Sequence, residues 1–151
     1  MSLDDMPTPL ALATVGLPTD AVGLDRIPRT EPDVIAVFLS ASCTICRVVA
    51  DAFQGGSPQR VWFVIEDTAA ARHVYSGLAQ ASRDRVIWDA GRTIATTTGI
   101  DITPSLVGIQ FGIISRAFGV SSARQVLIMI PTVTPAAHND ATMAERRALR
   151  K

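Results

Sequence analysis

The sequence feature that most constrains the fold is the C-x-x-C pair formed by Cys43 and Cys46, which follows an apolar run at residues 34–39. These are the only two cysteines of the chain. Residues 47–54, directly after the pair, have a helical pattern. A buried strand that delivers a C-x-x-C to the first turn of a helix is typical of a dithiol redox site.

The position at a helix start has a chemical consequence for Cys43. The first turn of a helix carries unpaired backbone N–H groups and a partial positive charge, and both favour a thiolate over a thiol. We therefore predict that Cys43 ionises more readily than a free cysteine and acts as the nucleophile. Cys46 lies one turn further in, near enough to close a disulfide with it.

Two other interpretations of the cysteine pair have to be weighed. A zinc site needs about four ligands, and the chain has no second cysteine pair. Its only histidines, His73 and His138, lie far apart in the sequence without ligand-like spacing. We therefore predict no metal and no other cofactor. The third interpretation, a buried and inert pair, is left open by the sequence.

The pattern continues after the cysteines. Next come a second apolar run at residues 61–65 and a helical stretch at 69–81. They are followed by a Thr-Pro dipeptide at 103–104, two apolar stretches at 105–110 and 112–118, and a last helical stretch at 122–130. This order resembles the thioredoxin superfamily over about residues 33–130. The resemblance implies an α/β, three-layer thioredoxin-like fold, with a central mixed sheet and helices on both faces.

Within that superfamily, residues 38–46 resemble the F-x-S-x-x-C-x-x-C of membrane-anchored, extracytoplasmic members. These include the cytochrome-maturation thiol–disulfide proteins and the methylamine-utilisation protein MauD. The chain departs from its relatives at three places: no Trp precedes Cys43, no Gly-Pro or Pro-His lies between the cysteines, and Val37 stands where many relatives carry a buried acid. The third departure removes the group that the resemblance implies for proton transfer at the dithiol. Glu66 and Asp67, at the end of the second apolar run, are candidates either to relay protons instead or to cap the following helix.

The resemblance also implies a role for the Thr-Pro dipeptide. The peptide bond between Thr103 and Pro104 is expected to be cis and to lie opposite the cysteines. There, a cis proline leaves adjacent backbone free to pair with an incoming peptide strand. We therefore predict that Thr103 and Pro104 bind substrate beside the catalytic residues Cys43 and Cys46.

Three functions follow from these residues. The first is a thiol–disulfide oxidoreductase whose partners are protein thiols and disulfides. The second is a thioredoxin-fold binding module with a redox-idle cysteine pair, which the missing acid at Val37 favours and the retained Thr103-Pro104 opposes. The third is a peroxiredoxin-like peroxide reductase, which is disfavoured because Thr44 follows Cys43 rather than preceding it. The sequence leaves the direction of electron flow open.

Composition sets the remaining expectations. A chain of 151 residues is typical of one domain, and we divide it into an N-terminal extension (1–32), the thioredoxin-like domain (33–130) and a C-terminal tail (131–151). Short strands are predicted at residues 11–15 and 21–27. The net charge of +0 gives no argument for nucleic acid, and we expect a monomer.

The sequence has no apolar stretch of the roughly 20 residues that a membrane-spanning helix needs, and no signal peptide is visible. Taken literally, this predicts a cytoplasmic protein. If the chain is instead a fragment of a membrane-anchored protein, as the resemblance to extracytoplasmic members implies, the expected location is the cell envelope.

Overall fold

The computed structural model describes residues 6–130. The tail at 131–151, with the short basic helix that its sequence predicts at 141–151, lies outside the described residues. Six strands form one mixed sheet in the order β1-β6-β5-β2-β3-β4. The strands are β1 (Thr8–Leu10), β2 (Val34–Leu39), β3 (Val61–Glu66), β4 (Val86–Asp89), β5 (Ser105–Gln110) and β6 (Ile113–Gly119). The helices are α1 (Thr44–Ala52), α2 (Ala69–Val74), α3 (Ser76–Ala81), α4 (Thr93–Thr98) and α5 (Ala123–Met129).

The central strand β2 is buried over its whole length. It pairs in parallel with β3 and antiparallel with β5. Alternate side chains of the strand enter two separate apolar clusters. One cluster holds Val37 and the buried faces of α1, α2, α3 and α5, and the other holds Phe38, α4 and the segment before β2. The sheet is thus covered on both faces, which confirms the predicted three-layer thioredoxin-like fold.

The strands predicted at residues 11–15 and 21–27 are wrong. The observed strand is β1, which pairs antiparallel with β6 along one edge of the sheet. Residues 19–21 form a single 3₁₀ turn, and Gly23 has a φ of 91°, which no extended strand contains. The apolar side chains of this segment are nevertheless buried, with Leu24 and Ile27 fully enclosed against the sheet. The boundary at residue 33 stays a prediction.

The single helix predicted for residues 69–81 is divided in two. Tyr75 lies between α2 and α3 with φ −103° and ψ 20°, outside the helical region. Its side chain points into the core and is 1% exposed. The sequence Ser122-Ala123-Arg124-Gln125 predicts a capping box at the start of α5, and it is present in a shifted form. Ser122 accepts a hydrogen bond from the Gln125 N–H, while the Gln125 side chain accepts from the N–H of Ser121, one residue earlier than expected.

None of the helices between residues 6 and 130 is long and apolar enough to cross a membrane.

Two leucines of the N-terminal segment, one buried and one exposed, allow a matched test of how much this segment contributes to the free energy of unfolding. Leu24 is fully buried, whereas Leu17 is 42% exposed. We expect Leu24→Ala to lower the free energy of unfolding by about 2–5 kcal/mol, because it removes buried methyl groups and leaves a cavity. Leu17→Ala should cost under about 1 kcal/mol. Urea unfolding of both variants checks this, and equal losses would contradict it.

Candidate active site

The site forms where β2 ends and β5 begins. These strands pair antiparallel with Phe38 opposite Ser105. Continuing that register by two residues on each strand places Ser40 opposite Thr103, and the hydroxyl oxygens of these two residues lie 2.9 Å apart in a hydrogen bond. The loop before the cysteines and the Thr103-Pro104 dipeptide therefore meet at the same edge of the sheet.

The two cysteines lie at the start of α1 and form a disulfide. Cys43 is the N-cap residue in an extended conformation, and its Sγ accepts a hydrogen bond of 3.0 Å from the Cys46 backbone N–H. Cys43 is half-buried, whereas Cys46 is fully buried. Once the disulfide is reduced, the same N–H and the helix N-terminus favour a thiolate at Cys43.

The Thr103–Pro104 peptide bond is cis, as predicted. Pro104 is buried, and the carbonyl oxygen of Thr103 lies 3.5 Å from the Sγ of Cys43. The structure thus brings Thr103, Pro104, Cys43 and Cys46 together. Their catalytic and substrate-binding roles remain predictions.

Two side chains that the sequence did not single out for this purpose hold the loop before Cys43. The hydroxyl of Tyr75 donates to the Ser40 carbonyl at 2.6 Å, and the guanidinium of Arg47 donates to the Ala41 carbonyl at 2.8 Å. Arg47 directly follows the cysteine pair in the sequence, which predicts either a cation that stabilises the thiolate or a solvated side chain. Its observed contact is with the loop backbone. The role of Tyr75 left no sequence signal, since an aromatic residue in a helical pattern is read as core.

The surroundings of Cys46 are apolar. Cys46 shares its cluster with Val37, Leu39, Val49 and Phe63, all of them buried. Val37 therefore lies on the Cys46 side of the sheet, the side on which the expected acid would have to lie. Burial in such surroundings disfavours a thiolate at Cys46.

The two acids at the end of β3 are not arranged as relays to Cys46. Side chains alternate along β3, so Glu66 faces away from the side that carries Phe63 and Ile65. Asp67 accepts hydrogen bonds of 2.8 and 3.2 Å from Arg72, which lower the pKa of its carboxyl. The predicted capping role belongs to the next residue, Thr68, whose hydroxyl accepts the backbone N–H of Ala71 in the first turn of α2.

Trp88, which the sequence places in the core, is half-buried. The Arg72 guanidinium lies 4.3 Å from its ring centroid, in cation–π geometry.

A polar cavity of about 240 Å³ opens beside the dithiol. It is lined by hydroxyl and charged side chains, namely Ser40, Ser42, Glu66, Arg92, Asp101 and Thr103. This cavity leaves no signal in the sequence, because Arg92 and Asp101 belong to segments that carry no motif. Neither here nor elsewhere in residues 6–130 are three His, Cys, Asp or Glu side chains grouped so that they could hold a metal ion.

The strand order, the C-x-x-C at the start of α1 and the cis proline together define a thioredoxin-like fold. No family model matches the sequence, and no curated protein sequence matches it. Several solved structures are similar to the chain. One is a secreted disulfide oxidoreductase from Mycobacterium tuberculosis, homologous to Escherichia coli DsbE, at 13% identity over 64% of this chain and 79% of that one, with a TM-score of 0.45.

A second is the thioredoxin domain of a thiol–disulfide oxidoreductase from Bacteroides vulgatus, at 14% identity over 80% of this chain and 96% of that one, with a TM-score of 0.47. A third is StoA from Bacillus subtilis, at 18% identity over 66% of this chain and 83% of that one, with a TM-score of 0.45. Likenesses this distant carry no argument about activity, which has to rest on the site itself.

Tyr75, which donates to the loop before Cys43, is the single tyrosine of the chain. Its titration can therefore be measured without a contribution from other phenols. Burial raises the pKa of Tyr75 to about 12, against a smaller opposing effect of Arg47. We expect the phenolate absorbance of the folded protein to titrate with a midpoint of about 12, and that of the urea-unfolded chain with a midpoint of about 10.

Because the folded state disfavours the phenolate, stability is full below the unfolded pKa and falls as the pH rises from there through the folded pKa. Tyr75→Phe should remove this alkaline loss. A native midpoint near the unfolded value, with tryptophan fluorescence still native, would contradict the assignment.

Proposed function

We propose that the protein is a thiol–disulfide oxidoreductase that acts on protein cysteines. The observation that carries the proposal is the asymmetric cysteine pair: a half-buried Cys43 whose sulfur accepts the Cys46 N–H at the start of α1, and a fully buried Cys46 behind it. The Thr103 backbone next to Cys43 supports the proposal, because it lies beside the reactive sulfur, where a partner peptide could pair with it.

The reaction follows from these positions in two exchanges. The Cys43 thiolate attacks one sulfur of a partner disulfide, forming a mixed disulfide while the other partner sulfur leaves as a thiolate. Cys46, once deprotonated, then attacks the Cys43 sulfur. This step closes the Cys43–Cys46 disulfide and releases the second partner thiolate, so two electrons have passed to the partner. Run in reverse, the same steps oxidise a partner dithiol.

A redox-idle binding module is the second candidate, and the surroundings of Cys46 favour it. The position of the missing acid is occupied by Val37, fully buried in the same apolar cluster as Cys46. If the Cys46 thiol never loses its proton, the mixed disulfide is not resolved and the pair does not turn over. The rate of that step therefore separates the two candidates.

The different positions of the two cysteines predict a different role for each. Cys46→Ser should accumulate mixed disulfides with partner proteins, because it removes the resolving sulfur and leaves the nucleophile. Cys43→Ser should accumulate none. In the reduced wild-type protein near neutral pH, alkylation should label Cys43 faster than Cys46 by about tenfold or more, as exposure and thiolate character require.

Mass spectrometry of the trapped adducts and of the alkylated peptides checks these outcomes, with the double Cys→Ser variant as the blank. Preferential labelling of Cys46, or adducts of the Cys43→Ser variant, would reverse the assignment.

The apolar surroundings of Cys46 predict how the loss of its thiol proton limits the resolving step. Resolution by Cys46 should be slow near neutral pH and should accelerate as the pH approaches the free-cysteine pKa of about 8.5, because burial disfavours the thiolate. Val37→Asp should raise the rate near neutral pH and flatten the profile, since its carboxylate would enter the Cys46 side of the sheet. Val37→Asn, which is polar and does not titrate, is the matched control.

The measurement is the decay of a preformed mixed disulfide at Cys43 between about pH 6 and 9. Unfolding curves accompany it, to show that each variant is folded. The idea fails if the wild-type rate is already constant over that interval, or if the folded Asp and Asn variants have the same profile. No decay of the wild-type adduct at any of these pH values would favour the redox-idle module.

A further inference from the structure

The polar cavity lies within reach of the reactive sulfur. Ser42 directly precedes Cys43, and the Thr103 carbonyl oxygen is 3.5 Å from the Cys43 sulfur; both residues line the cavity. An extended chain advances about 3.3 Å per residue. A polypeptide joined to Cys43 through its own cysteine can therefore place a neighbouring side chain in the cavity.

The charges around the cavity do not balance. Glu66 and Asp101 supply two carboxylates, and Arg92 supplies one guanidinium, which is directed to the Ile100 carbonyl at 3.2 Å. The ion pairs found between residues 6 and 130 join Arg29 to Asp20, Arg60 to Asp33 and Arg72 to Asp67. Within that part of the chain, neither Glu66 nor Asp101 takes part in an ion pair. With two carboxylates and one guanidinium, the cavity has a formal charge of −1.

The two thiol–disulfide exchanges described above do not involve these two carboxylates. Glu66 lies on the face of β3 opposite to Phe63 and Ile65, and those two residues belong to the cluster of Cys46. The remaining lining groups, the hydroxyls of Ser40, Ser42 and Thr103, are uncharged. Carboxylate and hydroxyl oxygens accept hydrogen bonds, whereas the ammonium and guanidinium groups of lysine and arginine only donate them.

We propose that the polar cavity is a specificity subsite that receives a lysine or arginine side chain adjacent to the reactive cysteine of the partner polypeptide. This rests on the proposed oxidoreductase function and adds the chemistry of the partner to it. Glu66 and Asp101 pair with the incoming cation. Partners with an acidic residue at that position are disfavoured, because they would bring a third carboxylate to a site that already carries an excess of negative charge.

The test uses short disulfide-linked peptide dimers that differ only in the residue next to cysteine, which is Lys, Gln or Glu, placed before it in one set and after it in another. We expect the reduced protein to react with the Lys peptide about three- to tenfold faster than with the Glu peptide, as the second-order rate constant of a single exchange, in at least one set. The preference should weaken at about 0.5 M salt, because screening reduces the attraction between partly exposed charges.

Two double variants, each of which removes two negative charges, distinguish an effect of the cavity from an effect of the protein's overall electrostatic field. Glu66→Gln with Asp101→Asn should abolish the Lys-over-Glu preference. Glu31→Gln with Asp84→Asn removes two exposed carboxylates outside the cavity lining, and it should retain the preference. Equal effects of the two double variants, or no preference in the wild-type protein, would overturn the subsite while leaving the oxidoreductase proposal intact.

A binding measurement decides the subsite even if no disulfide exchange occurs. Serine analogues of the same peptides are titrated into the intact protein and followed by NMR. The Lys analogue should shift resonances around Glu66 and Asp101 with a lower Kd than the Glu analogue. If exchange is absent and this difference is present, the proposed function fails and the subsite stands. If both are absent, both fail.

Discussion

The site depends on the antiparallel pairing of β2 with β5 at the centre of the sheet. Because β2 is buried on both faces, a slip of one residue would exchange the side chains that enter the two clusters, and the register is therefore strongly specified. That register fixes which loop residues meet beyond the strand ends. The Ser40–Thr103 contact, and through it the approach of Thr103 to Cys43, is a consequence of pairing along the whole strand.

The elements that build this part of the molecule could be predicted because their signals are local. An uninterrupted apolar run at residues 34–39 marks a strand buried on both faces, and a C-x-x-C after it marks the start of a helix. The order of the following segments, together with the Thr-Pro dipeptide, carried the resemblance to the thioredoxin superfamily, and that resemblance implied the three-layer fold and the cis peptide bond. Each segment is marked by a few neighbouring residues, which is why the sequence alone contained it.

The features that could not be predicted depend on contacts between distant parts of the chain. The strand β1 has three residues, one of them Pro9, and exists because β6 offers it an edge. The break at Tyr75 accompanies a hydrogen bond to Ser40, 35 positions earlier. Asp89, the last residue of β4, is buried and accepts the N–H groups of Ile94 and Ala95 at the start of α4.

The end of β3 shows how one strand supplies two different environments. Ile65 and Glu66 are neighbours in sequence, yet alternation sends the first into the apolar cluster of Cys46 and the second to the polar cavity. An acid at position 66 therefore cannot replace an acid at position 37 by proximity along the sheet edge, because the sheet separates the two side chains. The apolar side raises the cost of ionising Cys46, while the polar side keeps its carboxylates available to a partner. In the proposed mechanism, proton transfer at Cys46 and recognition of a partner therefore depend on opposite faces of the same sheet, and substitutions on one face should alter one of these properties without altering the other.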